Sequence, residues 1–153
     1  MQFEAAGAND PGWLRLRCGL WPGSEADHLR YMADSIARKH FVRLAVAADG
    51  AAVAFVEASK RVDYVNGTNS SPVAFLEGLY VEPASRGNGI ARALVASVEE
   101  WASAQGCSEL ASDSPLGNLA AHAVHRALGF TETERVVYFC RALHDAQPLA
   151  RQK

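Results

Sequence analysis

Cysteine is scarce in this chain, net charge is small, and no apolar run is long. Cys18, Cys107 and Cys140 are the only three cysteines, widely spaced and without a C-x-x-C pair. That count excludes a disulfide or zinc framework and fits reduced thiols in a cytoplasmic protein. No apolar run reaches the length needed to span a bilayer. Met1 to Trp13 lacks the basic segment and apolar core of a signal peptide. A formal net charge of −2 argues against nucleic acid as a partner, and mildly favours cationic ones. No repeat and no linker is evident. With 153 residues, 49% of them hydrophobic and 21% charged, the expectation is one soluble domain over residues 1–153.

In order, Met1 to Ala6 reads as an edge strand. Asp10-Pro11-Gly12 starts a helix whose apolar stripe is Trp13, Leu14, Leu16 and Leu20, and Trp21-Pro22-Gly23 breaks it. Ser24 caps a second helix, with Leu29, Met32 and Ile36 facing inward. Val42 to Ala48 and Ala51 to Tyr64 read as strands joined by a two-residue Asp49-Gly50 turn. Val65 to Pro72 is a loop. Cys107 to Ser112 is expected to run parallel to the strand before it, since a helix crosses between them, with Asp113 at its carboxyl end. Ligands bind outside such strand ends. Asn118 begins a helix with Leu119, Ala123, Val124, Ala127 and Leu128 as its buried stripe, and Gly129 stops it. Thr133 to Cys140 reads as a last strand, and the polar tail from His144 as frayed. The predicted fold class is α/β, a mixed central sheet with helices on both faces.

The most informative stretch is Val73 to Pro83, followed by Arg86-Gly87-Asn88-Gly89-Ile90-Ala91 and a helix to Ala104. Alternation puts Val73, Phe75, Glu77, Leu79 and Val81 in one row, where Glu77 is an acid among apolar side chains. Burying a carboxylate is costly unless it is paired or used. Gly78 in mid-strand marks a bulge or a close approach by another group. Gly87 and Gly89 let backbone N–H groups curl around an anion at a positive helix end, and Arg86 adds a full charge. Ile90, Leu94, Val98 and Trp101 then recur at helical spacing.

Arg86-Gly87-Asn88-Gly89-Ile90-Ala91 resembles the R-x-x-G-x-A acetyl-CoA signature of the GNAT acetyltransferases. Further blocks make the chain similar to the aminoglycoside 6′-N-acetyltransferases of that superfamily: Tyr64-Val65-Asn66-Gly67-Thr68, Ser71-Pro72-Val73, Phe75-Leu76-Glu77-Gly78, Ala111-Ser112-Asp113, Leu128-Gly129-Phe130 and the run from Glu132 to Phe139. The likeness extends from about Trp21 to Leu143. It implies acetyl transfer from acetyl-CoA, as co-substrate, to the 6′-amine of aminoglycosides, giving antibiotic resistance. It implies Leu79, Tyr80, Val81, Arg86, Gly87, Asn88, Gly89, Ile90, Ala91 and Asn118 on the coenzyme side. On the aminoglycoside side it implies Trp21, Ser24, Tyr64, Glu77, Asp113 and Glu134, with Glu77 and Asp113 as catalytic candidates and a backbone N–H near Leu79 at the oxyanion. A homodimer is expected from such relatives, and no membrane partner and no metal is expected.

The residue types suit that chemistry. Aminoglycosides carry several ammonium groups, which carboxylate walls attract and orient, while Trp21 and Tyr64 offer flat faces for sugar rings and cations. An amine that is mostly protonated at neutral pH must lose a proton before it attacks a thioester. Each residue also has a plainer reading: Glu77 as a structural ion pair, Asp113 and Glu134 as surface acids, Trp21 and Tyr64 as packing, Ser24 and Asn118 as helix caps. His125 stands where many members of the wider superfamily have tyrosine, so the general acid is unassigned, and Gly117 replaces an expected aspartate. His122 and His125 share a helix face without an evident third metal ligand. Cys107 falls within a predicted strand and packs there. Gly87-Asn88-Gly89 as half of a dinucleotide fingerprint leaves too little chain for the second half. Two alternatives stay open: a GNAT acetyltransferase acting on another amine, such as a polyamine or a protein N-terminus, and a non-catalytic acetyl-CoA sensor.

Overall fold

The computed structural model describes residues 1–144, so the expectation for the tail beyond His144 lies outside the described residues. The chain divides into two compact units, Met1–Asp113 and Ser114–Lys153.

The first unit is a five-stranded sheet in the order β1-β2-β3-β4-β5: β1 (Gln2–Ala5), β2 (Phe41–Val46), β3 (Ala52–Arg61), β4 (Val73–Val81) and β5 (Leu110–Ser112). Neighbours are antiparallel up to β4, and β5 runs parallel to β4 as the intervening helix requires. The β2–β3 connection is wider than the expected two-residue turn. The strands end at Val46 and Ala52, the amide of Gly50 bonds to the carbonyl of Ala47, and Gly50 takes φ +85°.

Two helices precede β2. Asp10 caps α1 (Pro11–Leu20) by accepting from the Trp13 amide at 3.0 Å, and Ser24 caps α2 (Glu25–Ala37) by accepting from the Asp27 amide at 3.1 Å. Their inward faces differ from the predicted stripes. α1 buries Trp13, Leu16 and Arg17, and α2 buries His28, Met32 and Ser35, while Leu14, Leu20, Leu29 and Ile36 are only partly covered. Polar groups occupy the inner positions because Glu57 on β3 waits for them there. Trp13, Leu16 and Met32 pack with Val42, Leu44 and Phe55. By alternation Ala54, Val56 and Ala58, each fully buried, point to the opposite face, where α3 (Ile90–Ala104) crosses β2, β3 and β4. Alanines there admit the helix closely.

In the second unit, α4 (Leu119–Ala127) is capped by Asn118, whose Oδ1 accepts from the Ala121 amide at 3.1 Å, and Gly129 ends it at φ +94°. The predicted buried stripe of α4 is not found: the helix buries none of its residues. Nor is the predicted strand from Thr133 to Cys140, a stretch in which no residue takes up strand structure. Val137, Tyr138 and Phe139 are 76%, 71% and 93% exposed. Apolar spacing says that a face wants covering, and leaves open what covers it.

Candidate active site

The site begins with a register slip. Glu57 on β3 pairs with Gly78, but the next residue, Ala58, pairs with Leu76, so Glu77 is an extra residue in β4. This bulge corrects the expected single row. Glu77 falls on the same face as Phe75, Gly78 and Tyr80, whereas Leu79 and Val81 lie opposite Val56 and Ala54 on the α3 face. The Glu77 carboxylate accepts from the Ser59 hydroxyl at 2.7 Å and from the Arg61 guanidinium at 2.7 Å. Arg61 in turn lies 3.6 Å over the Phe75 ring. The structural-pair reading of Glu77 is thus realised, on a side chain that remains 13% exposed.

Gly78 serves a close approach as well as the bulge. A Cβ there would overlap the Trp21 indole, coming within 2.8 Å of Cζ2. Trp21 follows α1 directly, its amide bonded to the Arg17 carbonyl at 2.9 Å, and its ring meets Phe55 edge-on at 6.0 Å. Trp21 and Glu77 are therefore brought onto one face, flanking the bulge.

Beneath them lies a buried polar cluster that the sequence reading did not find. Arg17 and Glu57 form an ion pair with side chains 0% and 3% exposed. The same Glu57 oxygen accepts from the Trp13 indole N–H at 2.7 Å, and Arg17 Nε donates to His28 Nδ1 at 3.3 Å. Burial pushes the Glu57 carboxyl above its usual range, with Arg17 and the Trp13 bond pulling the other way. Burial and the neighbouring Arg17 charge push the His28 imidazole down. Tyr31 is pushed up to about 12, chiefly by burial, then by the charges of Glu57 and Glu77. The available signal was Glu57 itself, an acid in an otherwise apolar strand, with Arg17 one helical turn after Trp13.

The coenzyme candidates follow from how the sheet opens. β5 pairs with β4 only through Ala74, Phe75 and Leu76, after which β4 runs on to Val81. Past Leu76, β4 has no strand on that edge among the described residues, which leaves the stretch holding Leu79, Tyr80 and Val81 at an open sheet edge. Arg86 folds back onto this strand end, its Nε donating to the Val81 carbonyl at 2.9 Å. Gly87 and Gly89 take φ of +79° and +74°, and a Cβ on either would meet nothing within 4 Å, so conformation and not crowding calls for glycine here. The first amides of a helix lack intrahelical acceptors, and those after Gly89 open α3 beside the Arg86 charge.

Other candidates are placed less tellingly. Asp113 is exposed, one residue past β5. Ser24 spends its oxygen on the α2 cap. Tyr64 is 74% exposed in the loop after β3, which ends earlier than predicted. That loop is pinned by Glu109, which accepts from the Asn69 amide at 2.8 Å and from the Ser70 hydroxyl. Asn118 and Glu134 belong to the second unit, Asn118 as a cap and Glu134 on the exposed stretch. His122 and His125 each meet a backbone carbonyl, of Pro115 and Ala121. No three His, Cys, Asp or Glu converge as a metal site among the described residues, and no helix there is long and apolar enough to cross a membrane.

A sheet that opens beside a glycine-cornered helix is the architecture of an acetyl-CoA-dependent acetyltransferase, and the acetyltransferase (GNAT) family model matches residues 11–130. The aminoglycoside N(6′)-acetyltransferase type 1 of Stenotrophomonas maltophilia is 53% identical over 137 residues, covering 89% of this chain and 89% of the relative. The crystal structure of an aminoglycoside antibiotic 6′-N-acetyltransferase from Acinetobacter haemolyticus, in its apo form, superposes with a TM-score of 0.90 at 48% identity, covering 94% of this chain and 99% of that one. AAC(6′)-Iy, solved with the bisubstrate analogue CoA-S-monomethyl-acetylneamine, gives a TM-score of 0.86 at 41% identity, covering 93% and 98%. The chain belongs to the aminoglycoside 6′-N-acetyltransferases of the GNAT family.

Proposed function

We propose that the chain, acting as one N-acetyltransferase domain, transfers the acetyl group of acetyl-CoA to the 6′-amine of aminoglycosides and so confers resistance. The observation that carries this reading is the bulge. It turns Glu77 out beside Trp21 at the point where β4 loses its neighbour, so an acid, an aromatic face and free backbone groups meet.

On the coenzyme side, Leu79, Tyr80 and Val81 pair with the pantetheine amides as an added strand. Arg86, Gly87, Asn88, Gly89, Ile90 and Ala91 hold the pyrophosphate, and Asn118 takes the coenzyme arm by resemblance. On the acceptor side, Glu77 and Asp113 attract the ammonium groups, with Trp21, Tyr64, Ser24 and Glu134 as further wall. The 6′-ammonium gives a proton to Glu77 or Asp113, directly or through water. The freed amine attacks the thioester carbonyl, forming an N–C bond, while a backbone N–H near Leu79 stabilises the oxyanion. The C–S bond then breaks, its electron pair leaves on the CoA sulfur, and the second proton lost by the acetylated nitrogen passes through water to that thiolate, giving the amide and CoA thiol. Arg61 pairs with Glu77, so a substrate cation competes with it.

Dependence on acetyl-CoA supports a cytoplasmic location. The exposed run Val136 to Phe139 supports a homodimer, whose second copy would cover it. Thiol release from acetyl-CoA across a panel of aminoglycosides, polyamines and peptides, with the acetylated nitrogen located by NMR, tests the reading. Release with kanamycin and acetyl at N6′ is expected. Release only with polyamines or peptides would move the chain to another acceptor, and binding without turnover would make it a sensor.

A further inference from the structure

We propose that Arg17, clamped by the buried carboxylate of Glu57, is a positioning residue that sets the Trp21 indole as the wall facing the cationic acceptor. The inference rests on the acceptor reading above and assigns two buried residues to it.

A buried ion pair is a poor stabiliser, since an apolar pair of similar volume commonly does as well or better. This one is costlier than most, because Glu57 Oε2 is buried without a hydrogen-bond partner. Stability does not account for it, but the geometry does. The Arg17 guanidinium lies 4.6 Å from the Trp21 ring centroid and 4.2 Å from that of Tyr31, so it is held between two aromatic rings. Glu57 accepts from Nη1 and His28 Nδ1 accepts from Nε, which leaves the cation little freedom to turn. Trp21 is then held at three points by the same framework: its amide on the Arg17 carbonyl, its ring against the guanidinium, and its far edge over Gly78. Glu57 also offsets the Arg17 charge, which unpaired would repel an approaching ammonium group. Lysine at this position keeps the charge but loses both the planar surface and the fork.

The kinetic test compares Arg17→Lys and Glu57→Gln with the wild type, using kanamycin and acetyl-CoA. Arg17→Lys is expected to raise the kanamycin KM about tenfold and Glu57→Gln about threefold. The acetyl-CoA KM and kcat should stay within about twofold of wild type in both. In a Trp21→Ala background, Arg17→Lys should add nothing further to the kanamycin KM, because its effect passes through Trp21. Multiplying effects in that double variant, or an unchanged kanamycin KM in both single variants, would overturn the assignment. So would a loss confined to kcat and thermal stability.

Fluorotryptophan labelling with 19F NMR reads the same point without turnover. Arg17→Lys should shift the Trp21 resonance and leave that of Trp101 in place, and an unmoved Trp21 resonance would refute the clamp. If the wild type acetylates no aminoglycoside, the acceptor reading fails, while the 19F spectra still judge whether Arg17 sets Trp21. Should Arg17→Lys not fold, Glu57→Gln carries both measurements.

Discussion

Replacing Gly78 with alanine places one methyl group at the most crowded point of the site. The backbone there is not in the left-handed region, so alanine adopts it without strain, and the whole effect is the new Cβ. That atom would overlap Trp21 Cη2 outright and sit 2.8 Å from Cζ2 and 3.3 Å from Cζ3, where carbon atoms rest at about 3.5–4.0 Å. The indole must withdraw by roughly 1.5 Å to restore that spacing, into a space bounded by Arg17 and Phe55. Overpacking of this kind costs about 1–3 kcal/mol, which lowers Tm by roughly 2–12 °C in a protein of this size. If Trp21 faces a substrate cation, its displacement forfeits about 0.5–2 kcal/mol. The kanamycin KM then rises roughly two- to thirtyfold. Differential scanning fluorimetry and thiol-release kinetics measure the two effects. In a Trp21→Ala background the clash has no partner, so Gly78→Ala should become nearly neutral for both. If Gly78→Ala leaves Tm and the kanamycin KM unchanged in the wild-type background, Trp21 does not lie over Gly78 and the site as described is wrong.

Gly89→Trp puts an indole at the helix corner and forces a side chain into φ +74°. Acetyl-CoA should bind at least about tenfold more weakly, and calorimetry showing wild-type affinity would remove the corner from the site. Arg61→Gln frees Glu77 from a half-exposed pair, so the kanamycin KM should fall by roughly 1.5- to 5-fold. A rise would mean that Arg61 holds Glu77 in its working position. His28 has its imidazole pushed down inside the fold by burial and Arg17, with a bond to the Trp21 backbone and then Asp27 opposing. The unfolded chain therefore takes up a proton first, and the stability His28 contributes is present above about pH 6.5 and lost as pH falls through its folded value. His28→Gln should flatten the decline of Tm between about pH 7 and pH 5, although His40, pushed down mainly by burial, keeps some slope. An unaltered slope would contradict that origin.

The strand, glycine corner and helix from Val73 to Ala104 were legible because local rules decide them: alternation, positive φ at glycine, and 3.6-residue spacing. Gly78 was legible as an anomaly, although which group approached it was not, since Trp21 lies far from it in sequence. Gly78 also pointed to a bulge, but that Glu77 is the extra residue depends on the register with β3, and the resulting shift of Leu79 and Val81 to the other face was not legible. Arg17, His28 and Glu57 escaped for a related reason. Arg17 and His28 look like surface residues on their helices, Glu57 is an anomaly without a visible partner, and only the packing of α1 and α2 onto β3 brings them together. The buried stripe on α4 and the strand from Thr133 to Cys140 were read from local spacing, which reports an apolar pattern and not the surface that meets it.

The central claim is that the carboxylate wall around Glu77 presents the 6′-amine to a thioester held along β4. The most direct measurement compares CoA thiol release with two aminoglycosides alike except at C6′, one with an amine there and one with a hydroxyl. Rapid release with the amine and none above background with the hydroxyl is the expected result. Equal release with both, or acetyl found on another nitrogen, would contradict the account.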